Sequence, residues 1–200
     1  MPRLTDERRS ARRQQILDAA RQCFLRNGFQ ATSMADVLHA AQLSAGAVYN
    51  YFPSKEELIA AISQQALADV AATFERMRGE ELPPLEEALT AVFSHEAPMD
   101  TQRESARLLV QVWAESLRSP TLGAKVVPIF HAVRTVFTDL VTAYQDNGMI
   151  SRAAPAETIA DILLSTLHGI ILRRAIIDDV DLDALRHGLR AVFLAGNTDA

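Results

Sequence analysis

Apolar side chains in this 200-residue chain recur at intervals of three and four, the spacing that lays them along one face of an α-helix. Between Arg8 and Asn27 the stripe is Ile16, Ala20, Cys23 and Phe24, and Gly28 stands where a helix-ending glycine is expected. Ser33-Met-Ala-Asp36 has the form of a capping box with aspartate in place of glutamate, and opens a short helix to Ala41. Ser44 caps a helix through Tyr51, closed by Pro53. Ser54-Lys-Glu-Glu57 is a second capping box, and the helix after it carries Leu58, Ile62, Ala66, Val70, Phe74 and Met77 on one side. Helices are then expected over Leu85–His95 and Thr101–Leu117. A long apolar stripe from Val126 to Tyr144 ends at Asn147-Gly148, and two more helices follow, from Pro155 to about Ile176 and from Ala184 to Leu194. No segment alternates as a strand. The prediction is an all-α chain of about nine helices.

Ser33–Ala41, the turn Gln42-Leu43 and Ser44–Tyr51 have the layout of a helix-turn-helix. Val37, Ala41, Leu43, Val48 and Phe52 are spaced to face inward, which leaves Ala45, Gly46, Ala47, Tyr49 and Asn50 largely outward. A glycine inside a helix costs roughly 1 kcal/mol relative to alanine, and the alanines beside it add little bulk. So small a face suits close approach to another surface, such as a major-groove floor. Tyr49 and Tyr51 carry hydroxyls able to donate to phosphate. Lys55 opposes the dipole of its own helix, a placement that makes sense beside a phosphate.

Charge sharpens this picture. Residues 1–55 hold eight basic and four acidic side chains, a net of +4, whereas the remaining 145 carry −9. A polyanion would therefore be met by the first quarter of the chain alone. The single cysteine, Cys23, falls on an apolar stripe and is read as core. It cannot form an internal disulfide, and with no leader-like segment at the start the expected location is the cytoplasm. No run reaches the ~18 apolar residues of a membrane span.

The stretches Gly28-Phe-Gln-Ala-Thr-Ser-Met-Ala-Asp-Val and Leu43-Ser-Ala-Gly-Ala-Val-Tyr-Asn-Tyr-Phe-Pro-Ser-Lys-Glu-Glu-Leu58 closely resemble the N-terminal signature of the TetR (AcrR-like) regulators. The resemblance implies a three-helix DNA-binding head, residues 1–53, on a six-helix ligand-binding and dimerisation body, residues 54–200. It further implies a homodimer whose two heads enter successive major grooves of a palindromic operator. Carried over by position, Thr32 and Ser33 would touch phosphate, Ser44, Ala45, Gly46 and Ala47 would face bases, and Tyr49, Asn50, Tyr51 and Lys55 would contact the backbone. The chain departs from the family at Gln42, where glycine is common, and at Ala45 and Ala47, where larger polar residues are common. Thymine methyls, Asn50 and DNA shape then carry more of the specificity.

Beyond about residue 80 the resemblance thins to layout and short patches such as Val112-Trp-Ala-Glu115. The helix after Pro155 is apolar on more than one side (Ile159, Ile162, Leu163, Leu167, Ile170, Ile171), which calls for burial against its own body and against a second copy. Leu185, Leu189, Val192 and Phe193 of the last helix would join it in a four-helix interface, as the family arrangement suggests. A small-molecule effector pocket is expected among Phe74, Met77, Phe93, Leu109, Trp113, Phe130, Arg134 and Phe137. Glu115 and Arg134 are the charged groups best placed along the chain to orient such a ligand. Binding would swing the Ser54–Met77 helix, change the separation of the heads, and release the operator.

An enzyme is the main rival class. The five histidines show no metal-ligand spacing, and no phosphate loop, nucleophile elbow or cofactor motif is present. No metal and no cofactor are expected. A second rival is a helical protein-binding adaptor that has lost sequence-specific DNA recognition, and activation in place of repression also stays open.

Overall fold

The computed structural model describes residues 6–78, 82–91, 99–177 and 180–194. Nine helices and no strands occur among the described residues: α1 (Asp6–Asn27), α2 (Met34–Ala41), α3 (Ala45–Tyr49), α4 (Lys55–Arg78), α5 (Leu85–Ala91), α6 (Met99–Ser116), α7 (Pro120–Asp146), α8 (Ala156–Ile176) and α9 (Leu182–Leu194). The all-α reading holds. Residues 92–95 of the expected fifth helix lie outside the described residues.

Two compact units form, and they do not follow chain order. One contains residues 1–65 and 108–126, the other residues 66–107 and 127–200. Helices α4, α6 and α7 each contribute to both.

In the first unit α1 supplies the largest apolar wedge, burying Ile16, Leu17, Ala20, Cys23 and Phe24. Val37 of α2, Val48 of α3, Phe52, and Leu58, Ile59 and Ile62 of α4 close around it. Leu108, Val112, Leu122 and Val126 complete the same core from α6 and α7. Burial raises the pKa of the Cys23 thiol, and Asp36 adds to the effect, so the cysteine sits as an apolar packing group.

Gly28 ends α1 at φ +77° while its amide donates to the Phe24 carbonyl at 2.9 Å. A side chain there would be strained by the left-handed backbone. Ser33 caps α2 as expected: its hydroxyl accepts from the Asp36 amide at 3.2 Å, and the Ser33 amide donates back to Asp36 Oδ2 at 2.7 Å. These bonds from Ser33 hold the Asp36 carboxyl below the usual carboxylate range. Gln42 terminates α2 in the left-handed region, at φ 54° and ψ 43°, and is the one non-glycine residue with positive φ among the described residues.

In the second unit, Phe74 and Phe137 meet edge to face with centroids 5.1 Å apart. The Tyr144 hydroxyl is fully buried, donates to the Pro83 carbonyl at 2.5 Å, and is pushed up to about 12, by desolvation first and then by Glu86 and Glu87. The Gln145 amide donates to the Ser151 and Ala154 carbonyls at 3.0 and 2.9 Å, which shapes the loop between α7 and α8. By length and composition α7 could cross a membrane, although Lys125, His131, Arg134 and Asp139 interrupt its apolar residues. Its side chains Phe137, Leu140, Val141 and Tyr144 are nevertheless buried within the unit.

Gln42→Gly is expected to stabilise the protein by about 1 kcal/mol, since glycine enters the left-handed region without a Cβ clash. Chemical denaturation followed by circular dichroism measures this, and a variant no more stable than the parent would show that the Gln42 side chain compensates the strain.

Candidate nucleic-acid interface

The surface around α2 and α3 is set by the corner between α1 and α2. The Thr32 hydroxyl donates to the carbonyls of Cys23 (3.1 Å) and Gly28 (2.7 Å). Lys55 reaches back from the first turn of α4, donating to the carbonyls of Phe29 (2.9 Å) and Gln30 (3.4 Å) with its ammonium 4.5 Å from the Phe29 ring centre. Phe29 packs in turn on Phe24, with centroids 5.6 Å apart. A cation that would weaken a helix N-terminus is thus offset by two carbonyls and a ring face. Gln30 donates from Nε2 to Oε1 of Glu115 at 2.5 Å, and Lys125 pairs with Glu57 at 2.7 Å. Both contacts lie within the first unit.

On this frame α3 is only five residues long. Ser44 caps it by accepting from the Ala47 amide at 3.3 Å, and Val48 points into the core. Ala45, Gly46, Tyr49 and Asn50 are exposed, Tyr49 at 45%. A Cβ built on Gly46 would meet nothing within 4 Å, so no contact within the protomer explains the glycine.

The expected site residues divide accordingly. Ser33, Ser44, Ala45, Gly46, Tyr49 and Asn50 are exposed, and Ala47, Tyr51 and Lys55 are half-buried. Thr32 requires correction. Its side chain is 1% exposed and its hydroxyl is taken by two carbonyls, so it braces the corner and offers no group to a phosphate.

The expected body sites are also redistributed. Arg134 pairs with Asp161 on the surface through two bonds of 2.6 and 3.0 Å, and is therefore no free ligand-orienting group. Glu115 is occupied by Gln30. Phe74 and Phe137 are core, while the Phe130 ring lies 5.6 Å from that of His168. Burial pulls the His168 pKa down. Met77, Phe130 and Arg134 fall in the second unit and Leu109 and Trp113 in the first. Phe93 lies outside the described residues.

Of the expected interface residues, Leu163, Leu167, Ile170, Ile171 and Leu189 are buried inside the protomer. Ile159 and Leu185 are half-buried, and Ile162 and Val192 are 51% and 74% exposed. The side chain of Phe193 lies outside the described residues. Helix α8 divides its apolar surface, with the outer stripe formed by Thr158, Ile162, Ser165, Gly169, Leu172 and Ile176. Sequence reasoning missed Leu172 and Ile176, although the three-and-four spacing from Ile162 leads to both.

Residues 16–62 match the bacterial regulatory proteins of the tetR family, and residues 83–194 match the C-terminal domain of BetI-type transcriptional repressors. The chain belongs to the TetR family. Among curated relatives, the HTH-type transcriptional regulator UidR of Escherichia coli (strain K12) is 29% identical over 184 residues, covering 90% of each chain. The HTH-type transcriptional repressor DhaR of Mycobacterium sp. (strain GP1) is 26% identical over 165 residues, covering 82% of each. Among solved structures, Salmonella enterica GusR superposes with a TM-score of 0.75 at 28% identity, over 96% of this chain and 100% of that one. The all-α fold and the helix-turn-helix of residues 33–51 are therefore those of a TetR-type transcriptional regulator.

Replacing the Thr32 hydroxyl tests its corrected role. Thr32→Val is expected to lower folding stability by roughly 1 kcal/mol while leaving the salt dependence of DNA binding as it is in the parent. A shallower slope with unchanged stability would return Thr32 to the phosphate contacts.

Proposed function

We propose that this protein is a homodimeric repressor that holds a palindromic operator through α2 and α3, and leaves it when a small molecule occupies its helical body. The observation that carries the DNA-reading part is Gly46, a helix-weakening residue on an exposed face that nothing in the protomer requires. A surface with no bulk at Ala45, Gly46 and Ala47 brings the α3 backbone close to base edges, while Tyr49 and Asn50 stand exposed beside it and the Ser33 and Ser44 hydroxyls cap their helices at its margin. Lys55 has three N–H donors and spends two on carbonyls, so one remains for a phosphate at the N-terminus of α4. Tyr51, half-buried beside it, adds a hydroxyl. In this reading residues 1–53 form the DNA-binding head, Lys55 adds a phosphate contact from the first turn of α4, and the rest of residues 54–200 hold the ligand and the dimer contacts.

Repression as the sense of regulation is supported by the BetI-type repressor match and by DhaR. Two-fold pairing is supported by the outer stripe of α8, where Ser165 and Gly169 at its centre allow close helix approach and Ile162, Leu172 and Ile176 supply apolar area. The exposed Val192 of α9 extends it. Ligand control follows from connectivity: α4, α6 and α7 each run from one compact unit into the other. A change in the second unit is thereby delivered to Lys55, Glu115 and Lys125, the residues that brace the reading head. Such coupling is typically worth about 1–3 kcal/mol. A regulator of this kind acts where the chromosome is, in the cytoplasm, and no catalytic step is part of the proposal.

Selection of random-sequence duplexes by the purified protein, followed by sequencing, tests this reading. A palindrome whose half-sites lie about one helical turn, or a multiple, apart is the expected result. Folded, dimeric protein that enriches no sequence would favour the adaptor alternative.

Gly46→Ala separates stability from recognition. The variant is expected to be more stable by about 1 kcal/mol yet to bind the selected site more weakly, because a methyl group now holds α3 off the groove floor. Affinity equal to the parent's would remove Gly46 from the contact surface.

A further inference from the structure

Four arginines crowd the first two turns of α1: Arg8, Arg9, Arg12 and Arg13. They work against the helix in two ways. Arg8 and Arg12, and Arg9 and Arg13, are like charges four residues apart, which face one another along the helix surface. All four also lie near the positive end of the helix dipole. The carboxylates of the same turn, Asp6 and Glu7, form no ion pair with them among the described residues, and Arg12 donates only to Gln15, at 3.1 Å. Inside the protomer the cluster gains little to offset this repulsion: one exposed hydrogen bond from Arg12 and the contact of Arg13 with the Phe52 ring.

The core of the first unit begins at Ile16, so residues 6–15 extend α1 by about 15 Å at 1.5 Å per residue. Every one of these residues except the half-buried Gln14 is exposed. The overhang has a definite direction. The stripe that packs the unit, Phe24, Ala20 and Ile16/Leu17, continues toward the N-terminus as Arg13 and Arg12, then Arg9 and Arg8, at the same three-and-four spacing. Arg13 lies over the Phe52 ring, 5.4 Å from its centre. Phe52 directly follows Tyr49, Asn50 and Tyr51, so the cationic turns of α1 adjoin the end of the recognition helix.

We propose that Arg8, Arg9 and Arg12 form a second phosphate-binding surface, which grips the sugar–phosphate backbone beside the half-site that α3 reads. The proposal rests on the operator-binding reading above and extends its footprint. A duplex supplies a dense line of negative charge, relieves the mutual repulsion of the guanidiniums, and favours arginine because its planar fork matches phosphate oxygens. Arg13 is set apart from the other three: its guanidinium is already over the Phe52 ring and ties this end of α1 to the end of the helix-turn-helix.

The test uses the full-length protein, its selected operator, and two triple variants, Arg8→Gln/Arg9→Gln/Arg12→Gln and Arg8→Lys/Arg9→Lys/Arg12→Lys. Affinity is measured across a series of potassium chloride concentrations, and thermal unfolding is followed for each protein. The glutamine variant is expected to unfold no earlier than the parent, yet to bind about tenfold or more weakly at physiological salt. Its plot of log K against log salt should flatten by about 0.9 for each phosphate released. The lysine variant should keep most of the slope. A parallel experiment needs no mutation: trimming the base pairs that flank the half-sites should lower the parent's affinity toward that of the glutamine variant. Equal affinity and slope in parent and glutamine variant, or indifference of the parent to trimming, overturns the arginine proposal and leaves the operator reading intact. A parent protein that binds no DNA at all overturns both.

Discussion

The reading head depends on how the six residues between α1 and α2 are held. Helix α1 stops because Gly28 adopts a conformation closed to other side chains, and the chain then folds back so that Phe29 lies on Phe24. That reversal exposes carbonyls, and each finds a donor: Thr32 for Cys23 and Gly28, Lys55 for Phe29 and Gln30. With these satisfied, Ser33 begins α2 at one defined angle, and the Val37, Val48 and Phe52 contacts fix α3 behind it. The position of the five-residue recognition helix is thus decided outside that helix, by Phe29 and Thr32 in the interior and by Ser33 and Lys55 nearer the surface. A donor lost from such a corner leaves its carbonyls with fewer partners, and one stranded in the interior costs more than the bond itself contributes.

Much of this was legible in the sequence, for identifiable reasons. The caps at Ser33, Ser44 and Ser54 are local signals, in which a hydroxyl reaches a backbone amide three residues away, and local signals survive whatever the rest of the chain does. Of the inward set that spacing alone defines, Val37, Ala41, Val48 and Phe52 are buried and Leu43 is half-buried against them. Thr32 was misassigned because nothing local shows that its hydroxyl is turned toward carbonyls four and nine residues earlier. Arg134 and Glu115 were read as free charges because their partners, Asp161 and Gln30, lie 27 and 85 residues away along the chain.

Helix α8 shows the same limit in another form. Its composition says that more than one side is apolar, but composition cannot say which side its own protomer takes. The structure assigns Leu163, Leu167, Ile170 and Ile171 inward and leaves Ile162, Leu172 and Ile176 outward. Small residues at 165 and 169 lie between the outer apolar positions, where a close neighbour would need room. The two faces obey one period and differ only in phase, and phase is what packing decides.

The core of the first unit also has a consequence for how the protein is made. Leu108, Val112, Leu122 and Val126 belong to that core although more than forty residues separate them from the last α4 residue in it, Ile62. On a ribosome the helix-turn-helix therefore emerges well before the residues that complete its packing, and it waits in an incomplete state until α6 and the start of α7 arrive. Excised at residue 65, it would expose the apolar side that those helices cover. The segment that reads DNA is in this sense not a portable module: its final order is set by chain from the middle of the protein, and it matures only once that chain has been synthesised.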